Sequence, residues 1–106
     1  MTLKQVQGSK TSFTMYLEIV SPEATLFSGE VTSVYVPGVN GDFEMLNNHA
    51  PIVSLLKEGV VKISGNIELD EEVQDKFTKG DKGTTLLKIN SGTLEMRDNK
   101  IIVLAD

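Results

Sequence analysis

The chain has 106 residues, 40% of them hydrophobic and 24% charged, with a formal net charge of −5 and no cysteine. That length supports one domain, because splitting it would leave neither half a workable core. The missing thiols exclude a disulfide framework, a zinc ribbon and a cysteine nucleophile, and an acidic chain whose Lys and Arg are scattered offers no nucleic-acid surface.

In chain order, residues 1–14 are polar, carry Gly8, Ser9 and Ser12, and contain no apolar stretch of the kind a secretory signal needs. They are expected to form a flexible leader, with the folded domain over 15–106. No apolar run approaches the roughly 18 residues that cross a bilayer, so membrane association is expected to run through a protein partner, without direct insertion. Leu17 and Ile19 alternate with Glu18, and Ser21-Pro22-Glu23 stops this first strand. Thr32, Val34 and Val36 give one face of the next run and Ser33 and Tyr35 the other, until Pro37-Gly38 ends it. Asn40-Gly41 is a hairpin signal, since both residues tolerate positive φ.

Farther on, Val61 and Ile63 flank Lys62, Leu87 and Ile89 flank Lys88, and Leu94 and Met96 flank Glu95. Asp98-Asn99 then turns the chain into Ile101-Ile102-Val103-Leu104. Seven or eight short strands, with turn signals about every 8–12 residues, predict an all-β fold: a two-sheet antiparallel β-sandwich. The last strand is apolar at four successive positions. That pattern predicts a central place in a buried sheet, with a surface covered by a partner as the alternative.

Residues 64–84 break the period-two pattern as a polar insertion. Leu69, Val73 and Phe77 recur at helical spacing, Asp70, Glu71 and Glu72 precede Lys76 and Lys79, and Gly80 follows. An acidic start, a basic end and a glycine stop predict a short helix, although a long hairpin tip has the same composition.

The residues offer little for catalysis. His49 is the only histidine, and no nucleophile with an orienting partner accompanies it, so hydrolysis at His49 is the weakest reading. Asn47-Asn48-His49-Ala50-Pro51 reads instead as a structured turn. Asp70, Glu71, Glu72 and Asp75 lack the order of a calcium loop and read as a solvated acidic face. Gly80-Asp81-Lys82-Gly83-Thr84-Thr85 lacks the Gly-Lys-Ser/Thr ending of a phosphate loop. No metal or cofactor is expected. Without tryptophan, and with only Tyr16 and Tyr35 in predicted strands, a carbohydrate- or ligand-binding sandwich is the alternative reading.

The order of motifs goes further than the composition. Leu17-Glu18-Ile19-Val20-Ser21-Pro22-Glu23 with Leu26-Phe27-Ser28-Gly29, then Val34-Tyr35-Val36-Pro37-Gly38 and Gly41-Asp42-Phe43, resemble the ATP synthase epsilon subunit family. The likeness is sharpest at His49-Ala50-Pro51 followed by Leu55, Leu56, Lys57, Glu58, Gly59 and Val60. It resumes at Ile89-Asn90-Ser91-Gly92-Thr93-Leu94-Glu95-Met96 and runs to Val103-Leu104-Ala105-Asp106. The resemblance covers about two-thirds of the chain, in the β-sandwich domain of that family. The helical hairpin that follows in many members, with its inhibitory and nucleotide-binding roles, is not carried over.

This resemblance implies a non-catalytic rotor subunit of the central stalk, linking the gamma subunit to the membrane c-ring and coupling proton-driven rotation to ATP synthesis. It also implies a peripheral place on the cytoplasmic face of the bacterial inner membrane. Val39, Asn40, Gly41 and Asp42 match the family loop aimed at the polar loops of the c-ring. Ser21, His49, Ala50 and Pro51 match positions that contact the gamma subunit or the ring. The sequence departs from the family at Leu46-Asn47-Asn48-His49, where a glycine and a proline are frequent; Asn48 can replace the glycine because Asn tolerates the left-handed region.

Overall fold

The computed structural model describes residues 14–106, so the leader expected over 1–14 lies, but for Thr14, outside the described residues. Ten strands form two five-stranded sheets. The first sheet holds, in spatial order, β2 (Thr25–Val31), β1 (Met15–Val20), β10 (Lys100–Ala105), β9 (Gly92–Arg97) and β5 (Ile52–Leu56). The second holds β4 (Phe43–Leu46), β3 (Ser33–Val36), β6 (Gly59–Ser64), β8 (Thr84–Ile89) and β7 (Phe77–Lys79).

The predicted sandwich is therefore the observed one, and the alternation expected of its strands sets the core. Leu17 and Ile19 of β1, Ile101 and Val103 of β10, and Leu94 and Met96 of β9 are buried on the inner face of the first sheet. Val34 and Val36 of β3, Val61 and Ile63 of β6, and Leu87 and Ile89 of β8 meet them from the second. Each such side chain contributes about 1.5–3 kcal/mol relative to its exposed state, which opposes the ordering of short strands that would not persist alone.

Three features depart from the sequence reading. First, Thr32 is exposed at a bend between β2 and β3, while Ser33 is buried, so the face expected to begin at Thr32 begins at Val34. Second, β1 and β10 pair parallel, with Tyr16 opposite Lys100 and Val20 opposite Leu104, whereas every other strand pair is antiparallel. Period-two patterning is the same in both orientations, so only the topology reveals it. Third, no α-helix forms in 64–84.

The insertion is instead a long excursion between β6 and β8, which are hydrogen-bonded neighbours from Gly59–Ile89 to Ser64–Thr84. It contains two 3-10 turns, Gln74–Lys76 and Asp81–Gly83, and returns as β7 along the far edge of β8. The helical spacing did mark residues that turn inward: Val73 and Phe77 are buried and Leu69 packs against the core. A helix this short is marginal without a packing face along its whole length, whereas Phe77–Lys79 gains ladder bonds and a buried ring as an edge strand.

The last strand occupies the middle of its sheet, as predicted from its four apolar residues. Ile101 and Val103 are fully buried, but Ile102 is half-buried and Leu104 is exposed on the outer face.

Candidate functional site

Strand directions sort the candidate residues onto the two ends of the sandwich. Because β1, β5 and β10 run the same way, the turn after β1, the end of β5 and residues 105–106 share one end. Asp98-Asn99 and the segment before β5 share the other. The loop at 37–42 joins the first end, since Gly38 bridges to Leu56. Ser21 and the loop Val39, Asn40, Gly41 and Asp42 therefore lie at one end, and His49, Ala50 and Pro51 at the opposite one.

The 37–42 loop is wider than the tight turn that Asn40-Gly41 suggested, yet it is tied down. Gly41 N–H donates to the Gly38 carbonyl at 3.0 Å, Val39 N–H to the Leu55 carbonyl at 2.9 Å, and Lys57 N–H to the Pro37 carbonyl at 2.9 Å. Gly38 has no room for a side chain, since an added Cβ would sit 2.6 Å from the Gly41 carbonyl oxygen. The loop thus leaves the second sheet and grips the edge of the first, holding exposed Val39 beside Leu55.

Asp42 at the close of this loop receives a hydrogen bond from the Tyr35 hydroxyl, 3.4 Å from Oδ2. Lys62 Nζ stands 5.3 Å from the centroid of the Tyr35 ring. Partial burial, then the Asp42 carboxylate acting both through space and through its hydrogen bond, then Glu44, raise the Tyr35 phenol above its ordinary value. At the same end Ser21 N–H donates to the Ala24 carbonyl at 2.8 Å, and Ala24 N–H donates back to the Ser21 carbonyl and to Oγ, both at 3.3 Å. Ser21 closes the β1–β2 turn as well as facing solvent.

At the opposite end the chain crosses from the second sheet to the first through 47–51. His49 N–H donates to the Leu46 carbonyl at 3.1 Å, and Asn48 adopts φ 66°, the left-handed geometry for which Asn substitutes for glycine. Asn48 N–H donates to Asn99 Oδ1 at 2.6 Å. The recess here is lined by Asn48, His49, Ala50, Pro51, Asp98 and Asn99. It contains no serine, threonine or cysteine for His49 to activate. Among the described residues no three His, Cys, Asp or Glu side chains converge on a metal-sized site, and no buried side-chain nitrogen or oxygen lacks a hydrogen-bond partner. No described helix is long and apolar enough to cross a membrane.

The outer face of the first sheet, raised in the sequence only as an alternative for the apolar last strand, carries exposed apolar side chains on β10 and on β5, and the β5 part was not foreseen. The register aligns Val20, Leu104, Thr93 and Leu55 in one row across β1, β10, β9 and β5. Glu18, Ile102, Glu95 and Val53 form the next. Val53 is 78% exposed, Leu55 63%, and Leu104 and Val39 each 51%. Val53 and Leu55 share a parity within Ile52–Leu56, which was the available signal. Their exposure depends on nothing packing over β5, and no local pattern reports that. The two tyrosines occupy opposite outer faces, Tyr16 beside Lys100 and Tyr35 beside Lys62, so they make no common platform for stacking a sugar.

Residues 14–106 match the family model described as ATP synthase, Delta/Epsilon chain, beta-sandwich domain. The chain is 36% identical over 92 residues to the ATP synthase epsilon chain of Campylobacter concisus, covering 87% of this chain and 60% of that protein. It is 38% identical over 99 residues to the ATP synthase epsilon chain of Chlorobaculum tepidum, covering 93% of this chain and 94% of that one. The chain thus spans about three-fifths of the Campylobacter relative and nearly all of the Chlorobaculum one. Among solved structures, it aligns with a chain of the Euglena gracilis mitochondrial ATP synthase, OSCP/F1/c-ring, at a TM-score of 0.66 and 14% identity, covering 88% of this chain and 51% of that one. It aligns with a chain of the Tetrahymena thermophila mitochondrial ATP synthase central stalk/c-ring at 0.59 and 15%, covering 86% and 62%. At those identities the structural matches speak for the fold.

Proposed function

This chain belongs to the ATP synthase Delta/Epsilon chain family, through its beta-sandwich domain, and on that premise we propose that it is a non-catalytic part of the enzyme's central stalk. In this reading it links the gamma subunit to the c-ring, so that proton-driven rotation of the ring reaches the catalytic head. It is peripheral, on the cytoplasmic face of a bacterial inner membrane, and makes or breaks no bond itself.

The observation that carries this reading is the apolar outer face of the first sheet. Val53, Leu55 and Leu104 stand on adjoining rows of one rigid surface, and Val39 continues it onto the 37–42 loop. An outer face with several exposed apolar groups, here interleaved with Thr93 and Glu95 of β9, marks a docking site, since leaving those groups in water is unfavourable and invites aggregation. We assign this face to the gamma subunit. The adjoining end, with Ser21, Val39, Asn40, Gly41 and Asp42, is assigned to the polar loops of the ring, where the Asp42 carboxylate adds steering and register. His49, Ala50 and Pro51, at the far end, are assigned to a further contact with the gamma subunit.

The test is to mix the folded chain with its cognate gamma subunit and resolve the products by gel filtration. A one-to-one complex is expected. Two folded proteins that elute separately would overturn the reading.

A further inference from the structure

Asn48 and Asn99 are 51 residues apart in sequence and face each other across the end of the sandwich. Asn99 Oδ1 accepts the Asn48 N–H at 2.6 Å, and Asn99 Nδ2 donates to Asn48 Oδ1 at 3.4 Å. Both residues are left-handed, at φ 66° and 60°. Asn99 is itself anchored, because its carbonyl accepts the Tyr16 N–H at 2.9 Å. The carboxamide of Asn99 therefore hangs the crossover turn on the corner where β1, β9 and β10 meet.

The turn so held contains His49. Its Nδ1 lies 2.7 Å from the Ala50 carbonyl oxygen. A carbonyl oxygen only accepts, so Nδ1 carries the proton and Nε2 of the neutral ring is an acceptor. Among the described residues, no group bonds Nε2.

We infer that Asn99 is a positioning residue for His49: its clasp on Asn48 fixes the crossover turn and keeps the imidazole in the Nδ1–H form, offering Nε2 to a hydrogen-bond donor on the partner. The inference rests on the proposed rotor reading only for who the partner is. Asn99 also suits the two-residue turn Asp98-Asn99, where φ is 53° and 60°, because Asn tolerates that geometry. The clasp is a separate role, and glycine separates the two: it keeps the turn and removes the carboxamide.

The experiment uses the full chain and its Asn99→Gly and Asn99→Asp variants. Because His49 is the only histidine, its imidazole nitrogen resonances are assigned without ambiguity, at a pH where the ring is neutral. Asn99→Gly is expected to move them from the Nδ1–H pattern toward the tautomer mixture of free histidine, with a near-unchanged melting temperature. Asn99→Asp, which keeps the acceptor for Asn48 N–H, is expected to restore the wild-type pattern. Affinity for the gamma subunit is expected to fall about fivefold in Asn99→Gly, the scale of one net hydrogen bond, and less in Asn99→Asp.

His49 resonances unchanged by Asn99→Gly would overturn the clasp, as would loss of the cooperative melt, which would make Asn99 merely structural. If the resonances move but neither Asn99→Gly nor His49→Ala alters gamma binding, the clasp stands and the assignment of His49 to that contact falls. If no variant and no wild-type chain binds the gamma subunit, the rotor reading falls while the resonances still decide the clasp.

Discussion

The two sheets bury their inner faces alike but finish their outer faces differently. Across the second sheet one register row reads Glu44, Tyr35, Lys62, Leu86, with Tyr35 holding Asp42 on one side and Lys62 lying over its ring. Across the first, one row reads Val20, Leu104, Thr93, Leu55, and farther along the same face Lys100 lies over the Tyr16 ring. Both outer faces mix polar and apolar groups: Leu46 and Val60 are exposed on the second sheet, and Glu18 and Glu95 stand on the first. The most exposed apolar side chains, Val53 and Leu55, stand on β5 of the first. In a sandwich the inner faces maintain the fold, so an outer face is free to be specialised.

The largest effect that tests this contrast is inside one strand. Ile101→Ala removes a fully buried side chain of β10 and is expected to cost about 2–5 kcal/mol in denaturant unfolding. Leu104→Ala, on the same strand's outer face, is expected to stay within about 0.5 kcal/mol. Equal costs would show that the outer face is part of the folded core and not a docking surface.

Binding should then divide the sheets. Leu55→Asp combined with Leu104→Asp is expected to weaken gamma association by at least about 30-fold, since truncating central apolar anchors costs about 2 kcal/mol or more. Lys62→Glu, on the outer face of the second sheet, is expected to change it less than about threefold. Titration calorimetry distinguishes the two, and similar losses from both faces would erase the proposed asymmetry.

Asp42→Lys comes next in size. It should reduce ATP-driven proton pumping in reconstituted membranes, most of all at low salt, while leaving the isolated chain's melting curve in place. Unchanged pumping would remove Asp42 from the ring contact.

The smallest effect is spectroscopic. The Tyr35 phenol is held above its ordinary value of 10.0 by partial burial, then by Asp42. The raised value favours the neutral form in the folded state. Its contribution to stability is therefore present below the unfolded-state pKa and lost as pH rises through the folded one. Asp42→Asn should let phenolate absorbance appear at lower pH, closer to that ordinary value; a curve superimposable on the wild type would detach Tyr35 from Asp42.

Legibility in the sequence followed how local each cause was. Strands such as Gly59–Ser64 and Gly92–Arg97 could be read because alternation of Val61, Lys62, Ile63 or Leu94, Glu95, Met96 reports burial on one face whatever the neighbours are. The left-handed turn at Asn48 could be read for a similar reason: backbone sterics restrict which residues sit there. Of the two readings of 64–84, the helix failed and the long hairpin excursion fits, because the spacing of Leu69, Val73 and Phe77 reported correctly that they turn inward, but not which backbone carries them. The free edge of β8 captured Phe77–Lys79 as a strand, and a free edge exists only once the sheet has formed.

The sequence by itself determined an all-β sandwich and the composition of its core, because side-chain alternation and turn chemistry act over a few residues, while the family was reached through a resemblance in the order of its motifs. Only the tertiary structure decided that β1 and β10 pair in parallel, that Asn99 reaches Asn48, and that Val53, Leu55 and Leu104 form one uncovered face. Each of those depends on which distant segments the packed core brings side by side, and short-range patterns carry no record of that choice.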